Sequence, residues 1–289
     1  MKYLALHFHI QCDENLLVAA RELLAVTAAE AGCESFEDTG DGLKAYVQKD
    51  AFREDALQEG VRNFFLQDVG ITWDVEQAAD EDWNSTWEEE GFSPIVIAGR
   101  LTVADYRHPE RCPEEDRQSG NVVWIDARNA FGTGTHETTR MMLTALTAMN
   151  LAGKKVLDCG CGTGILGIAA SMRGALSVTA YDIDSWSVEN TRHNAAINGA
   201  GGITAMEGDA SVLKGDMRFD VVMANINRNI LLQDMPRFRQ VMNDDALLLI
   251  SGFYESDIPL LLEKARTLGL EETERDAEGD WRMLVFRTQ

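Results

Sequence analysis

The chain has 289 residues, 45% of them hydrophobic, enough for one large domain or for two with separate cores. A formal net charge of −22 repels phosphate backbones and argues against direct nucleic-acid binding, while it permits a basic protein partner. There is no apolar run of membrane-spanning length and no signal-peptide layout at the start, so no membrane span is expected and the cytoplasm is the expected location.

Residues 3 to 10 alternate, with Leu4, Leu6, Phe8 and Ile10 on one face and His7 and His9 on the other, as in a half-buried strand. Residues 15 to 31 carry Leu16, Leu17, Ala20, Leu23, Leu24 and Thr27 at helical spacing, and Gly32 stops the helix. "ESFEDTGDGLKAYVQK" reads as two strands about a turn at Gly40-Asp41-Gly42. A second helix is expected over residues 53 to 67, with Leu57, Val61, Phe64 and Phe65 inward, and "ITWDVEQ" closes as a strand. The order βαββαβ predicts an α+β ferredoxin-like domain over residues 1 to 78. Tyr46 is the lone aromatic of "GLKAYVQK", too little for a base-stacking surface in so acidic a region.

Residues 79 to 97 are expected to be a linker, with an acidic helix ending at Gly91 that sets Trp83 and Trp87 four apart on one face. "IVIAGRLTVADY" and "NVVWIDA" read as strands separated by a polar loop with two prolines. From residue 137 the pattern is a helix, then strands at "KVLDCG", "SVTAYDID", "ITAMEGDA", "DVVMANIN" and "ALLLISGF" alternating with amphipathic stretches. Such alternation means a parallel sheet covered on both faces. The last two extended runs, joined near Glu278-Gly279-Asp280, predict a closing antiparallel hairpin. The second domain is therefore expected over residues 98 to 289, as an α/β, Rossmann-like sheet of seven strands.

The five cysteines, Cys12, Cys33, Cys112, Cys159 and Cys161, are odd in number and scattered, as reduced thiols would be, and no metal is expected. His136-Glu137-Thr138-Thr139-Arg140 is half of a zinc motif, but H-E-x-x-H needs a second histidine where Arg140 stands. The glycine stretch before residue 137 reads instead as a loop capping the helix and covering a ligand.

"DCGCGTG", residues 158 to 164, places a tight glycine turn between a strand and a helix. Two ligands compete for it. Gly162 to Gly167 matches the dinucleotide pattern G-x-G-x-x-G of an NAD-dependent dehydrogenase, whereas Gly160, Gly162 and Gly164 after Asp158 match the S-adenosylmethionine pattern. Asp182, at the end of the next strand, suits ribose hydroxyls under either. Three features favour S-adenosylmethionine. Asp158 would oppose a pyrophosphate but suits an ammonium and a sulfonium; Asp209, ending the third strand, can accept from an adenine amino group; and the terminal hairpin suits a methyltransferase sheet.

Taken together, "AFGTGTHETT", "VLDCGCGTGILGIAA", "YDID" and "ANI", with the N-terminal βαββαβ pattern, resemble the ribosomal protein L11 methyltransferase family (PrmA type) over nearly the whole chain. The family's usual Asp-Pro-Gly turn is replaced by Asp126-Ala127-Arg128-Asn129. The resemblance implies cofactor contacts at Thr139, Gly160, Asp182 and Asn225, beside Gly162 and Asp209 from the reading above. It also implies methyl transfer from S-adenosylmethionine to lysine side-chain and N-terminal amines of a basic ribosomal protein, by a monomer whose first domain reads the substrate. Other amine substrates, and a non-catalytic ribosome-assembly role, are the alternatives.

An amine must be neutral to attack. For a free lysine this costs about 4 kcal/mol near neutral pH, less in a desolvated site. No residue is required as a general base; Asn225, in Ala224-Asn225-Ile226-Asn227, is the candidate to orient the amine.

Overall fold

The alternating N-terminus folds as β1 (Tyr3–Gln11) in a computed structural model that describes residues 3–288 apart from 34, 41, 50, 63, 67, 68, 78–90 and 128–131. It is followed by α1 (Glu14–Glu30), β2 (Ser35–Asp38), β3 (Gly42–Gln48), α2 (Glu54–Arg62) and β4 (Gly70–Gln77). The strands form one antiparallel sheet in the order β2-β3-β1-β4. Leu6, Phe8, Ala45 and Val47 on its inner face form one core with Ala20, Leu24 and Ala28 of α1 and Leu57 of α2. The period-2 and period-3.6 patterns thus meet on a shared apolar face.

Helix α2 is shorter than expected. It stops at Arg62, and the Phe64 amide closes a turn on the Val61 carbonyl at 3.2 Å. Position 65 therefore leaves the Leu57–Val61 stripe, and Phe65 is 84% exposed rather than inward.

Chain contacts separate Met1–Thr86 from Trp87–Gln289. The expected linker helix with Trp83 and Trp87 lies outside the described residues. Ile95–Ile97, counted with the linker, form β5, and "IVIAGRLTVADY" is not one strand but a hairpin of β5 with β6 (Leu101–Asp105). Ala98 (φ 49°) and Gly99 (φ 63°) take left-handed backbone between them, and the Arg100 amide bonds to the Ile97 carbonyl at 2.9 Å. Two such residues make the tight turn that suits the strand twist. The polar loop that follows holds a short helix, α3 (Glu114–Ser119), and β7 (Val122–Ile125) then pairs parallel with β6.

The rest of this unit is built on a seven-stranded sheet. Its elements in chain order are α4 (Glu137–Ala148), β8 (Lys155–Cys159), α5 (Ile165–Met172), β9 (Ser177–Asp182), α6 (Ser185–Ile197) and β10 (Ile203–Glu207). Then come β11 (Phe219–Asn225), α7 (Arg228–Val241), β12 (Met242–Tyr254), α8 (Ile258–Thr267), β13 (Leu270–Glu278) and β14 (Trp281–Thr288). The order is β10-β9-β8-β11-β12-β14-β13, parallel through β12 and antiparallel in the final hairpin. One face packs Met141, Met142 and Leu146 of α4 with Leu166 and Ile168 of α5. The other packs Leu231, Met235 and Phe238 of α7 with Leu261 of α8. β8 and β11 are neighbours although β9 and β10 come between them in sequence. The chain therefore reverses its winding there and leaves a crevice at the strands' carboxyl ends.

Candidate functional site

That crevice is where β8, β9 and β11 end, at Cys159, Asp182 and Asn225. The glycine turn leaves β8 with Gly160, Gly162 and Gly164 at φ of 68°, 51° and 80°. The Gly160 and Cys161 amides both donate to the Tyr181 carbonyl, at 2.9 and 3.0 Å, so the turn is fastened to β9. A Cβ on Gly160 would lie 2.5 Å from Ile226 Cγ2, which explains the bare backbone there.

Asp182 is tied into the turn. Its Oδ2 accepts from the Gly162 amide at 3.0 Å and its Oδ1 from the Asp184 amide at 3.1 Å. Asp184 in turn caps α6 through the amides of Trp186 and Ser187. Ile183, between the two acids in sequence, is 77% exposed. Neither the double amide tie nor the exposure of Ile183 has a local sequence signature.

Asp158 is buried, 1% exposed, with Oδ2 accepting from the Gly167 amide at 2.9 Å. Burial raises its pKa from 3.8 to about 7; the Gly167 amide opposes the shift and the Asp182 charge adds to it. These bonds decide between the two ligands. The amides that a pyrophosphate would take, at Gly162 and in the first turn of α5, are already turned to the carboxylates of Asp158 and Asp182. A dianion would have to displace both acids; a ligand carrying positive charge would not.

The third strand ends at Glu207, two residues short of Asp209, which lies in the exposed turn beyond it. Asp209 Oδ1 accepts from the Ser211 amide at 2.8 Å, and the Ser211 bonds hold its carboxyl below the usual range. The Gly208 amide bonds to the Asp182 carbonyl at 2.8 Å, so Asp209 stays beside the end of β9.

Thr139 and Asn225, 86 residues apart in sequence, are brought together: Asn225 Nδ2 donates to Thr139 Oγ1 at 3.4 Å. Thr139 sits buried in the first turn of α4. It is His136, rather than the glycine loop, that caps this helix; its Nδ1 accepts from the Thr138 amide at 3.3 Å. Its ring meets the edge of Trp281 at 4.9 Å, and Trp281 lies against Tyr254 at 4.5 Å. Among the described residues no group of acidic, histidine and cysteine side chains is placed to hold a metal ion, and the five cysteines are thiols rather than disulfides.

The sequence profile described as ribosomal protein L11 methyltransferase (PrmA) matches residues 13–289. A ribosomal protein L11 methyltransferase of Phocaeicola vulgatus is 42% identical over 287 residues, covering 99% of each chain. One from Porphyromonas gingivalis is 41% identical over 288 residues, covering 99% of this chain and 98% of that one. The crystal structure of a ribosomal protein L11 methylase from Lactobacillus delbrueckii subsp. bulgaricus superposes with a TM-score of 0.62 at 27% identity, over 68% of this chain and all of that one. With a family match over most of its length and full-length relatives at this identity, the chain belongs to the ribosomal protein L11 methyltransferase (PrmA) family.

Proposed function

We propose that this protein transfers methyl groups from S-adenosylmethionine to lysine side-chain and N-terminal amines of ribosomal protein L11. The observation that carries the cofactor is the pair of carboxylates, Asp158 and Asp182, turned onto the amides of the glycine turn. When bound, S-adenosylmethionine supplies a methyl group already activated on a sulfonium.

The chain's own residues bind and orient. The Asp182 carboxylate keeps lone pairs free of its two amide bonds for ribose hydroxyls, with Ile183 as an apolar face for the base and Asp209 as acceptor for its amino group. Gly160 and Gly162 allow close backbone approach, and Asp158 favours the cationic end. With its Nδ2 committed to Thr139 Oγ1, Asn225 presents its carbonyl oxygen as the end able to accept from an incoming amine. Thr139 thereby fixes which way the Asn225 amide faces. Rate enhancement then comes from placing a neutral amine in line with the methyl group, with no general base assigned.

The first unit's antiparallel sheet order with two helices on one face supports a ferredoxin-like substrate reader, and the exposed Glu54, Asp55 and Glu59 on α2 suit a basic partner. The second unit's strand order supports a Rossmann-like methyltransferase sheet. We read the enzyme as a monomer working in the cytoplasm, where ribosomal proteins are made, with no direct nucleic-acid contact. Among the described residues no helix is long and apolar enough to cross a membrane.

The test is mass spectrometry of purified ribosomal protein L11 incubated with this protein and S-adenosylmethionine. Methyl increments on lysine and on the N-terminus are expected. Unmodified L11, with calorimetry showing the cofactor bound, would overturn the substrate.

A further inference from the structure

Helix α6 carries asparagines at 190 and 194, with Asn198 closing its C-terminus, spaced four apart on one face. Asn190 and Asn194 are buried, where an amide side chain needs partners. Besides a 3.3 Å bond from Asn194 to Asn190 within the helix, those partners lie outside it. Asn198 takes the Trp124 amide at 2.8 Å and gives to the Trp124 carbonyl at 2.7 Å. Asn190 gives to the Asp126 carbonyl at 2.8 Å. Asn194 accepts from the Asp126 amide at 3.0 Å and donates to the Thr163 carbonyl, inside the glycine turn, at 2.9 Å.

Thr163 makes a second connection. Its hydroxyl donates to the Gly132 carbonyl at 2.6 Å. Asn194 thus holds Asp126, just past β7, and Thr163 holds Gly132, before α4. Asp126 itself is gripped from its side-chain end by Arg107 at 3.2 Å and His193 at 2.9 Å. Thr191, next to this row, donates to the Gly162 carbonyl at 2.9 Å.

We infer that Asn194, acting with Thr163, is a positioning residue for the cofactor. It sets the spacing between the glycine turn and the segment that leads into Thr139. The inference rests on the S-adenosylmethionine reading of the crevice for its ligand, and on the hydrogen bonds above for its geometry. In this chain Asp126 is followed by Ala127 and Arg128, with no proline to fix the backbone, and the α6 amides of Asn190 and Asn194 bond the Asp126 backbone. Asn198 makes the same kind of bonds to the same strand but does not reach the glycine turn, which makes it the internal control.

The experiment compares Asn194→Ala, Asn198→Ala and Thr163→Val in the full chain. S-adenosylmethionine affinity is measured by calorimetry, and backbone amide exchange is measured without ligand. Loss of side-chain bonds to backbone groups should lower Tm for both asparagine variants. Asn194→Ala should weaken cofactor binding about tenfold or more while Asn198→Ala stays within about twofold. Without ligand, Asn194→Ala should speed exchange in both 160–164 and 132–135, whereas Asn198→Ala should speed it at Trp124 and leave those two segments unchanged. Thr163→Val keeps the Asn194 bond to the carbonyl and removes only the Gly132 bond. It should weaken cofactor binding measurably with little loss of Tm, which covers the case of an unfolded Asn194→Ala. Equal affinity losses in the two asparagine variants would overturn the inference, as would unchanged exchange at 132–135 in Asn194→Ala or unchanged affinity in Thr163→Val. Failure of the wild-type chain to bind S-adenosylmethionine would overturn the cofactor reading instead, and the exchange experiment would still decide the positioning.

Discussion

Replacing Asp158 by asparagine should stabilise the protein in a pH-dependent way while weakening cofactor binding. The carboxyl is buried and its pKa is raised from 3.8 to about 7, chiefly by that burial. Below the unfolded value both states hold the proton, and burial carries no ionisation cost. As pH rises from about 4 to about 7 the unfolded chain gives up the proton while the folded chain keeps it, so stability is lost progressively. The loss is complete once pH has passed the folded value and totals about 4 kcal/mol, from roughly three pKa units at 1.36 kcal/mol each. Asparagine cannot ionise, yet its side-chain oxygen can still accept from the Gly167 amide. Urea unfolding of both proteins should therefore show the variant's advantage widening by about 2 kcal/mol between pH 5.5 and 7.5. A gap that does not change with pH would refute the buried, protonatable carboxyl. Cofactor binding supplies the second half of the test. A positively charged ligand favours the carboxylate, so wild-type binding just below pH 7 should release protons, seen as a dependence of the calorimetric heat on the buffer. Asp158→Asn should show no such dependence and a weaker affinity.

Asp182→Ala should weaken S-adenosylmethionine binding by about 1.5 to 3 kcal/mol. Because its carboxylate also holds the Gly162 and Asp184 amides, Tm should fall as well, and unchanged affinity would remove the residue from the site. If Asn225 orients the amine as proposed, Asn225→Ala should lower kcat more than it raises the cofactor Kd; an unchanged kcat on ribosomal protein L11 would assign Asn225 to cofactor contact alone. The rate with dilute ribosomal protein should fall several-fold from low to moderate salt, since charges further apart than about 8 to 10 Å are screened. Glu54→Gln, Asp55→Asn and Glu59→Gln together should flatten that dependence, whereas a salt-independent wild-type rate would leave the −22 charge to solubility.

Periodicity is enough to read the strands of the four-stranded and seven-stranded sheets and the glycine turn, because each leaves a repeat of two or 3.6 residues or a run of glycines. It misplaced what a single turn decides. Phe65 continues the apolar stripe of α2 in sequence, but the helix had already ended at Arg62, and Ala98 carries no mark of the left-handed backbone it adopts. The candidate site residues are named by type in the sequence, but their hydrogen-bond partners are not. As a residue type at a strand end, Asp182 suggests only a ligand contact. Its two backbone bonds also make it part of the turn, so its loss should disturb the turn as well as the proposed ribose contact.

The asparagines of α6 are illegible in the sequence for a related reason. Bonds from Asn194 to Asp126 and Thr163 span 68 and 31 residues, and contacts of that range leave no local pattern. Their spacing nevertheless held information. Asparagine is a poor helix former, and a buried amide without partners costs more than the helix gains by keeping it. A row of asparagines four apart in a helix packed against a parallel sheet therefore requires backbone to bind on the face it presents. Next to a glycine turn, that backbone belongs to the ligand site.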